Sequence, residues 1–147
     1  MICGHGACYS RLKNSAKHLD NIHFISLVSD QHLNDLLNLA DIHILPQKRQ
    51  MRDWVMPSKL SGMMASGKPV FAISHHQSAI ADILKDSGMV VTHQNDELLA
   101  RQLLQLINNP HLRAQLGNQA RQYACKHFDR QIVLRQLDSL LCQLGKR

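Results

Sequence analysis

The sequence predicts an α/β fold: a parallel sheet flanked by helices, followed by a helical tail at the C-terminus. Three observations carry that expectation. Short β-rich runs alternate with stretches of helical periodicity as far as residue 92. Beyond residue 95 only helical periodicity remains. No internal repeat, low-complexity segment or linker interrupts the series. At 147 residues the chain is expected to form a single domain, residues 1–147, with a core of its own.

The elements follow in order. MIC opens the chain as a strand, and GHG follows it. NIHFISLV (21–28) is the next β-rich run. In SDQHLNDLLNLA (29–40), Leu33, Leu36, Leu37 and Ala40 take the spacing of one helical face, with Ser29 or Asp30 as N-cap. DIHILPQ (41–47) is a strand ending in a proline, and KLSGMMASG (59–67) is a short helix stopped by Gly67. KPVFAIS (68–74) is a strand, AIADILKDSG (79–88) a helix and MVVT (89–92) a strand. NDELLARQLLQLINN (95–109) carries Asp96 and Glu97 in its first turn, where carboxylates meet the positive end of the helix dipole. Pro110 starts another helix, and DRQIVLRQLDSLLCQL (129–144) is a last amphipathic one.

The formal charge of +6 and the pI near 9.4 point to an anionic partner without choosing among nucleotide, nucleic acid and lipid surface. One Trp, two Tyr and three Phe, with no basic run interleaved among them, argue against nucleic acid. No window is apolar and uncharged over the about 18 residues that a membrane span needs. The N-terminus has no charged segment leading into a long apolar one, as a secretory signal would. Cys3, Cys8, Cys125 and Cys142 are too widely spaced for a paired metal-ligand motif, and they read as reduced core thiols of a cytoplasmic protein. The ten histidines, including the pair His75-His76, lack a helical His-Glu pattern and are expected at the surface. No metal and no cofactor is therefore expected. No Ser/His/Asp arrangement has local support, and no catalytic residue is assigned.

In a parallel α/β sheet, ligands meet the carboxyl ends of the strands. That rule selects GHGA (4–7), SLVS (26–29), PQKRQMRDWVMPSK (46–59) and SHHQS (74–78). In the first, Gly4 and Gly6 let backbone approach a ligand, although Tyr9 stands where the dinucleotide pattern has its last glycine. The third is the longest and feeds a helix near Ser58. A helix start offers unpaired N–H groups to an anion, and Lys59 adds a point charge. MPSKLSGMMASGKPV (56–70) thus reads as a phosphate cradle. The plainer alternative is that Ser58 only caps the helix and Lys59 is solvated.

Four segments in this order, NIHFISLV, LNDLLNLADIHILPQ, MPSKLSGMMASGKPVFA and LGNQARQYACKHFD, resemble the C-terminal half of a glycosyltransferase of the GT-B fold. The resemblance covers nearly the whole chain. It is to the family-four type, nearest the enzymes of colanic acid biosynthesis. It implies a Rossmann-like domain that holds a nucleotide-diphosphate sugar donor for transfer to a polysaccharide or lipid-linked acceptor in exopolysaccharide synthesis. By that resemblance, the loop 54–62 and the helix after it, with Pro57, Ser58, Lys59 and Leu60, hold the pyrophosphate and ribose. Leu45, Pro46 and Gln47 line the cleft, and Leu27, in the turn 26–28, lies near the base.

Two departures from the family pattern stand out. Its two glutamates are replaced by Trp54 and Gly62, with Asp53 beside the first, which argues against carboxylate catalysis from this half. MICGHG corresponds to the family's second strand, so the first strand and helix, with their basic pair, and the acceptor half have no counterpart. The missing strand is central in the usual order and would leave a gap between neighbours. The expectation is a fragment that works with an acceptor domain or a full-length enzyme, cytoplasmic and in peripheral contact with the inner membrane. The stripe at 132, 133, 137, 140, 141 and 144 is expected to be partly exposed, or buried in a homodimer; in GT-B enzymes the C-terminal helix crosses to the other half. A nucleotide-sugar epimerase of the same fold and a non-catalytic interaction domain with a decayed site are the alternatives.

Overall fold

The computed structural model describes residues 1–47, 56–92 and 95–145, which pack as two compact units, Met1–Leu36 and Leu37–Arg147. In the first, strands β1 (Ile2–Cys3) and β2 (Phe24–Ile25) pair in parallel, Ile2 opposite Phe24, with helix α1 (Tyr9–Ser15) between them in sequence. The sequence pattern did not announce α1. None of its residues is buried, so it has no apolar stripe to read. Aromatic rings hold it instead: Tyr9 stacks on His5 at 4.7 Å between centroids and meets Phe24 edge-on at 5.6 Å. The ring that replaces the last glycine of a dinucleotide pattern thus joins helix to strand by side-chain contact. The β-rich run 21–28 forms a ladder only at Phe24 and Ile25. A 3-10 turn at Asp30–His32 then leads into α2 (Leu33–Leu39), and Ser29 precedes that turn without a side-chain cap bond.

In the second unit, β3 (His43–Pro46), α3 (Lys59–Ala65), β4 (Val70–Ile73), α4 (Ala79–Leu84) and β5 (Gly88–Val91) build a parallel sheet of order β3-β4-β5. The strands thus form two parallel sheets, and among the described residues no backbone ladder joins β1-β2 to β3-β4-β5. His43 and Gln47 donate backbone N–H bonds to Pro69 and Ile73, each at 2.9 Å. Pro46 falls on the other phase of an edge strand, so its missing N–H costs no ladder bond.

The central strand explains the core. Val70, Phe71 and Ala72 are at most 2% exposed, and successive side chains point to opposite faces. Val70 and Ala72 pack with Leu60 and Met64 of α3 and with Ile80 and Leu84 of α4. On the other face, Phe71 and Val91 pack with Leu106 of α5 (Asp96–Ile107). Each of the Val, Leu, Ile, Phe and Met side chains, fully buried, contributes about 1.5–3 kcal/mol. The long helix α6 (Pro110–His127) serves both faces, Leu112 and Leu116 joining the Phe71 cluster and Ala120 and Ala124 joining the Val70 cluster.

The last three helices start where their caps are. Asn95 accepts from the Glu97 N–H, Asn109 from Leu112, and Asp129, at the start of α7 (Arg130–Leu144), from Gln131 and Ile132. No residue of α7 is buried; Val133, Leu137, Leu140, Leu141 and Leu144 are 44–66% exposed, so the expected stripe faces outward. The cysteines correct an expectation. Cys8, Cys125 and Cys142 are exposed and Cys3 is half-buried, so none is a core thiol. Cys125 and Cys142 take outward positions of α6 and α7, which apolar spacing alone did not separate from inward ones.

Candidate functional site

In the second unit a side-chain bond joins β3 to α3 at the amino end of the strand. His43, at the start of β3, lies 3.0 Å through Nε2 from Ser66 Oγ, just past the end of α3. Back along α3, Ser58 lies about 12 Å away at 1.5 Å per residue. Forward along β3, Gln47 lies about 13 Å away at 3.3 Å per residue. Strand and helix run in opposite directions in sequence, so Gln47 and the pair Ser58-Lys59 reach the same carboxyl edge. Gly67, at φ +73, ends α3 as expected. The Arg121 guanidinium of α6 donates to the Ala65 carbonyl there.

At that edge Ser58 and Lys59 are both exposed. Ser58 has helical backbone angles and no side-chain cap bond, so its hydroxyl is not committed to capping. Leu60 N–H is taken by the Pro57 carbonyl at 3.0 Å, and the Leu60 side chain is fully buried in the core. Lys59 makes no ion pair among the described residues. Pro57 is half-buried, Pro46 exposed and Gln47 half-buried. Leu45, at 6% exposure, belongs to the core cluster with Leu60, so these two leucines support the edge from beneath. Where the family pattern has its second glutamate, a Cβ on Gly62 would stand 3.4 Å from the Leu37 side chain. Trp54 and Asp53 lie outside the described residues.

Gly4, Gly6 and Leu27 belong to the first unit. Gly4 has φ +129, a conformation that favours glycine, and a Cβ there would stand 3.8 Å from Leu27 Cδ2. Leu27 is 72% exposed, and nothing lies within 4 Å of a Cβ on Gly6. So Gly4 and Leu27 come together at the carboxyl end of β1 and β2. A cavity of about 420 Å³, lined by Lys13, Lys17, His23 and Phe24, sits at the amino end of β2 and is no part of this edge.

Two features escaped sequence reasoning. His43 is buried, whereas the other described histidines are exposed; burial holds its imidazole below the ordinary value, Lys68 adds to this, and the Leu37 carbonyl opposes it. Its place at the inward phase of a strand was the available signal. Ser74 and Ser78, both 2% exposed, meet Gln47: Ser74 Oγ donates to Gln47 Oε1 at 2.5 Å and lies 2.9 Å from Ser78 Oγ. Two serines four apart between a strand and a helix marked them. Among the described residues no three metal-ligating side chains gather, and no helix is long and apolar enough to cross a membrane.

The family model described as glycosyl transferases group 1 matches residues 1–123. The chain belongs to the group 1 glycosyl transferases. A relative of this group 1 chain is the Escherichia coli (strain K12) protein assigned as colanic acid biosynthesis glycosyl transferase WcaI, 30% identical over 138 residues. That match takes in 92% of this chain and 33% of WcaI, so the chain spans about a third of that relative's length. Sucrose-phosphate synthase from Thermosynechococcus elongatus shares the fold at a TM-score of 0.78, 18% identical over 95% of this chain and 34% of its own. Anabaena HepE, solved in complex with UDP-glucose, does so at 0.76, 17% identical over 96% of this chain and 40% of its own. The fold of this group 1 glycosyl transferase chain is that of the C-terminal domain of GT-B enzymes.

Proposed function

We propose that residues 1–147 are the donor-binding part of an exopolysaccharide glycosyltransferase. The donor is a nucleoside-diphosphate sugar, and the acceptor is a polysaccharide or a lipid-linked sugar. In the transfer, the bond from the anomeric carbon to the phosphate oxygen breaks, an acceptor hydroxyl oxygen bonds to that carbon while its O–H bond breaks and the proton is released, and the nucleoside diphosphate leaves. What supports the reading is that β3 and α3, joined at His43 and Ser66, run in opposite directions and so carry Gln47 and the pair Ser58-Lys59 toward one end of the sheet, in a chain of this family. The uncommitted Ser58 hydroxyl and the Lys59 ammonium favour the phosphate cradle over the plain cap. Lys59 would meet charge that grows on the diphosphate as it departs. The complexes of HepE with UDP-glucose and with UDP and glucose lend support by analogy.

The acceptor half is supplied by the rest of a longer protein or by a partner. The protein works in the cytoplasm, peripheral to the inner membrane, where the +6 charge favours an anionic surface. The α7 stripe is covered by the acceptor half or by a second copy. Calorimetry with UDP and GDP tests the reading: selective binding of one is expected. Binding of neither would leave the interaction-domain alternative.

A further inference from the structure

The open cavity of the first unit, about 420 Å³, is lined by cations from two elements and by apolar side chains between them. Lys13 and Lys17 stand four residues apart at the end of α1. His23 stands at the foot of β2, where its carbonyl accepts the Ile2 N–H at 2.8 Å. Between them the chain folds back through Leu19 N–H to Ala16 at 3.0 Å and Ile22 N–H to Leu19 at 3.4 Å, which brings Leu19 and Ile22 into the lining with Phe24. Lys13 Nζ lies 5.8 Å from the centroid of Tyr9, whose ring meets Phe24 edge-on, so one ammonium is held near the apolar part of the lining. The described lining includes no carboxylate; Asp20, in the same turn, is exposed and is not part of it. Lys13, Lys17 and His23 enter no ion pair among the described residues. Lysines at a helix end can serve the helix dipole alone. That role leaves out His23, which comes from a strand, and the three apolar side chains beside it. Sites for small molecules have this make-up, mostly apolar with a few placed polar groups, at about 300–1,000 Å³.

We infer that this cavity binds a phosphate monoester carrying a short apolar group. The phosphate oxygens meet Lys13, Lys17 and His23, and the apolar group meets Leu19, Ile22 and Phe24. A phosphate that carries nearly two negative charges and three acceptor oxygens suits several cations at once. Soluble phosphate esters and phosphatidic acid share this chemistry. The test is calorimetry on the 147-residue chain with hexyl phosphate, inorganic phosphate and hexanol, beside vesicles of phosphatidylcholine with and without phosphatidic acid. Hexyl phosphate should bind at least about tenfold more tightly than inorganic phosphate, because part of its chain leaves water, and hexanol should not bind. Lys13→Ala and Lys17→Ala should each weaken hexyl phosphate about tenfold, the loss of one charge-assisted bond. Both lysines are exposed, so circular dichroism and UDP or GDP binding should stay as in the parent. Lys59→Ala should leave hexyl phosphate binding unchanged. Vesicle binding that needs both phosphatidic acid and the two lysines would assign the ester to a lipid, and hexyl phosphate binding without it to a soluble molecule; either supports the site. The inference is overturned if the parent does not bind hexyl phosphate, if inorganic phosphate binds as tightly, or if Lys59→Ala abolishes binding while the Lys13 and Lys17 changes do not.

Discussion

Replacing Gly117 by alanine sets two effects of opposite sign against each other. Gly117 lies inside the 18-residue helix α6, where alanine in place of glycine gains about 1 kcal/mol of helix propensity. A Cβ there would stand 2.2 Å from the Gly67 carbonyl oxygen, 3.0 Å from its carbonyl carbon and 3.4 Å from Lys68 Cα. Carbon atoms in good contact sit about 3.5–4.0 Å apart, so the first approach is short by more than an ångström. The opposing atoms are backbone at the glycine that ends α3 and cannot rotate aside. Overpacking costs roughly 1–3 kcal/mol and more where nothing yields. The upper part of that range applies, leaving a net loss of roughly 1–2 kcal/mol. For a domain of this size the melting temperature should fall by about 2–8 °C. Calorimetric melting with Gly6→Ala as the control checks it, since a Cβ on Gly6 meets nothing within 4 Å. A Gly117→Ala protein as stable as its parent would refute the close approach of α6 to Gly67.

Lys59→Ala should weaken nucleoside-diphosphate binding by roughly 1.5–3 kcal/mol, the worth of a charge-assisted hydrogen bond, with circular dichroism unchanged; equal affinity would remove Lys59 from the phosphate role. His43 should make the fold acid-sensitive. Its folded value lies below the ordinary 6.5, so the unfolded chain takes up the proton first and stability falls as pH drops below about 6.5. His43→Leu should flatten that part of the melting-temperature profile. Leu140→Ser should change monomer stability by less than about 0.5 kcal/mol, because Leu140 is 57% exposed; a larger loss, seen in urea melts, would mean that α7 is covered. The 147-residue chain incubated with labelled nucleotide sugars and a lipid-linked acceptor should bind donor but form no product, since Gly62 and Trp54 replace both glutamates of the family pattern. Product in a sample free of full-length enzyme would contradict this.

Periodicity carried most of the second unit. The strands and helices from β3 to α7 appear in the order the alternation set, each burying a defined face or starting at a side-chain cap, although α4 stops at Leu84 and Gly88, expected to end it, opens β5. The first unit was harder to read. α1 buries nothing, and β2 is two residues long, so neither writes a period into the sequence. At the edge, Ser58 and Lys59 were readable from the loop that precedes a helix. The partnership of Gln47 with Ser74 was not, because it joins residues 27 apart through a register that only the folded sheet sets. The same limit explains Leu45 and Leu60. The resemblance put them in the cleft region, and only packing shows that their side chains point inward.

The reach of α6 bears on how the second unit comes apart. Its N-terminal half closes the Phe71 cluster and its C-terminal half closes the Val70 cluster, on opposite faces of one three-stranded sheet. Peeling the helix away would wet both clusters at once, so neither side of the sheet has a private opening route. Local openings in proteins usually follow such contiguous packing units. Amide hydrogens of β4 should therefore exchange with deuterium at a single rate along the strand, one set by detachment of α6.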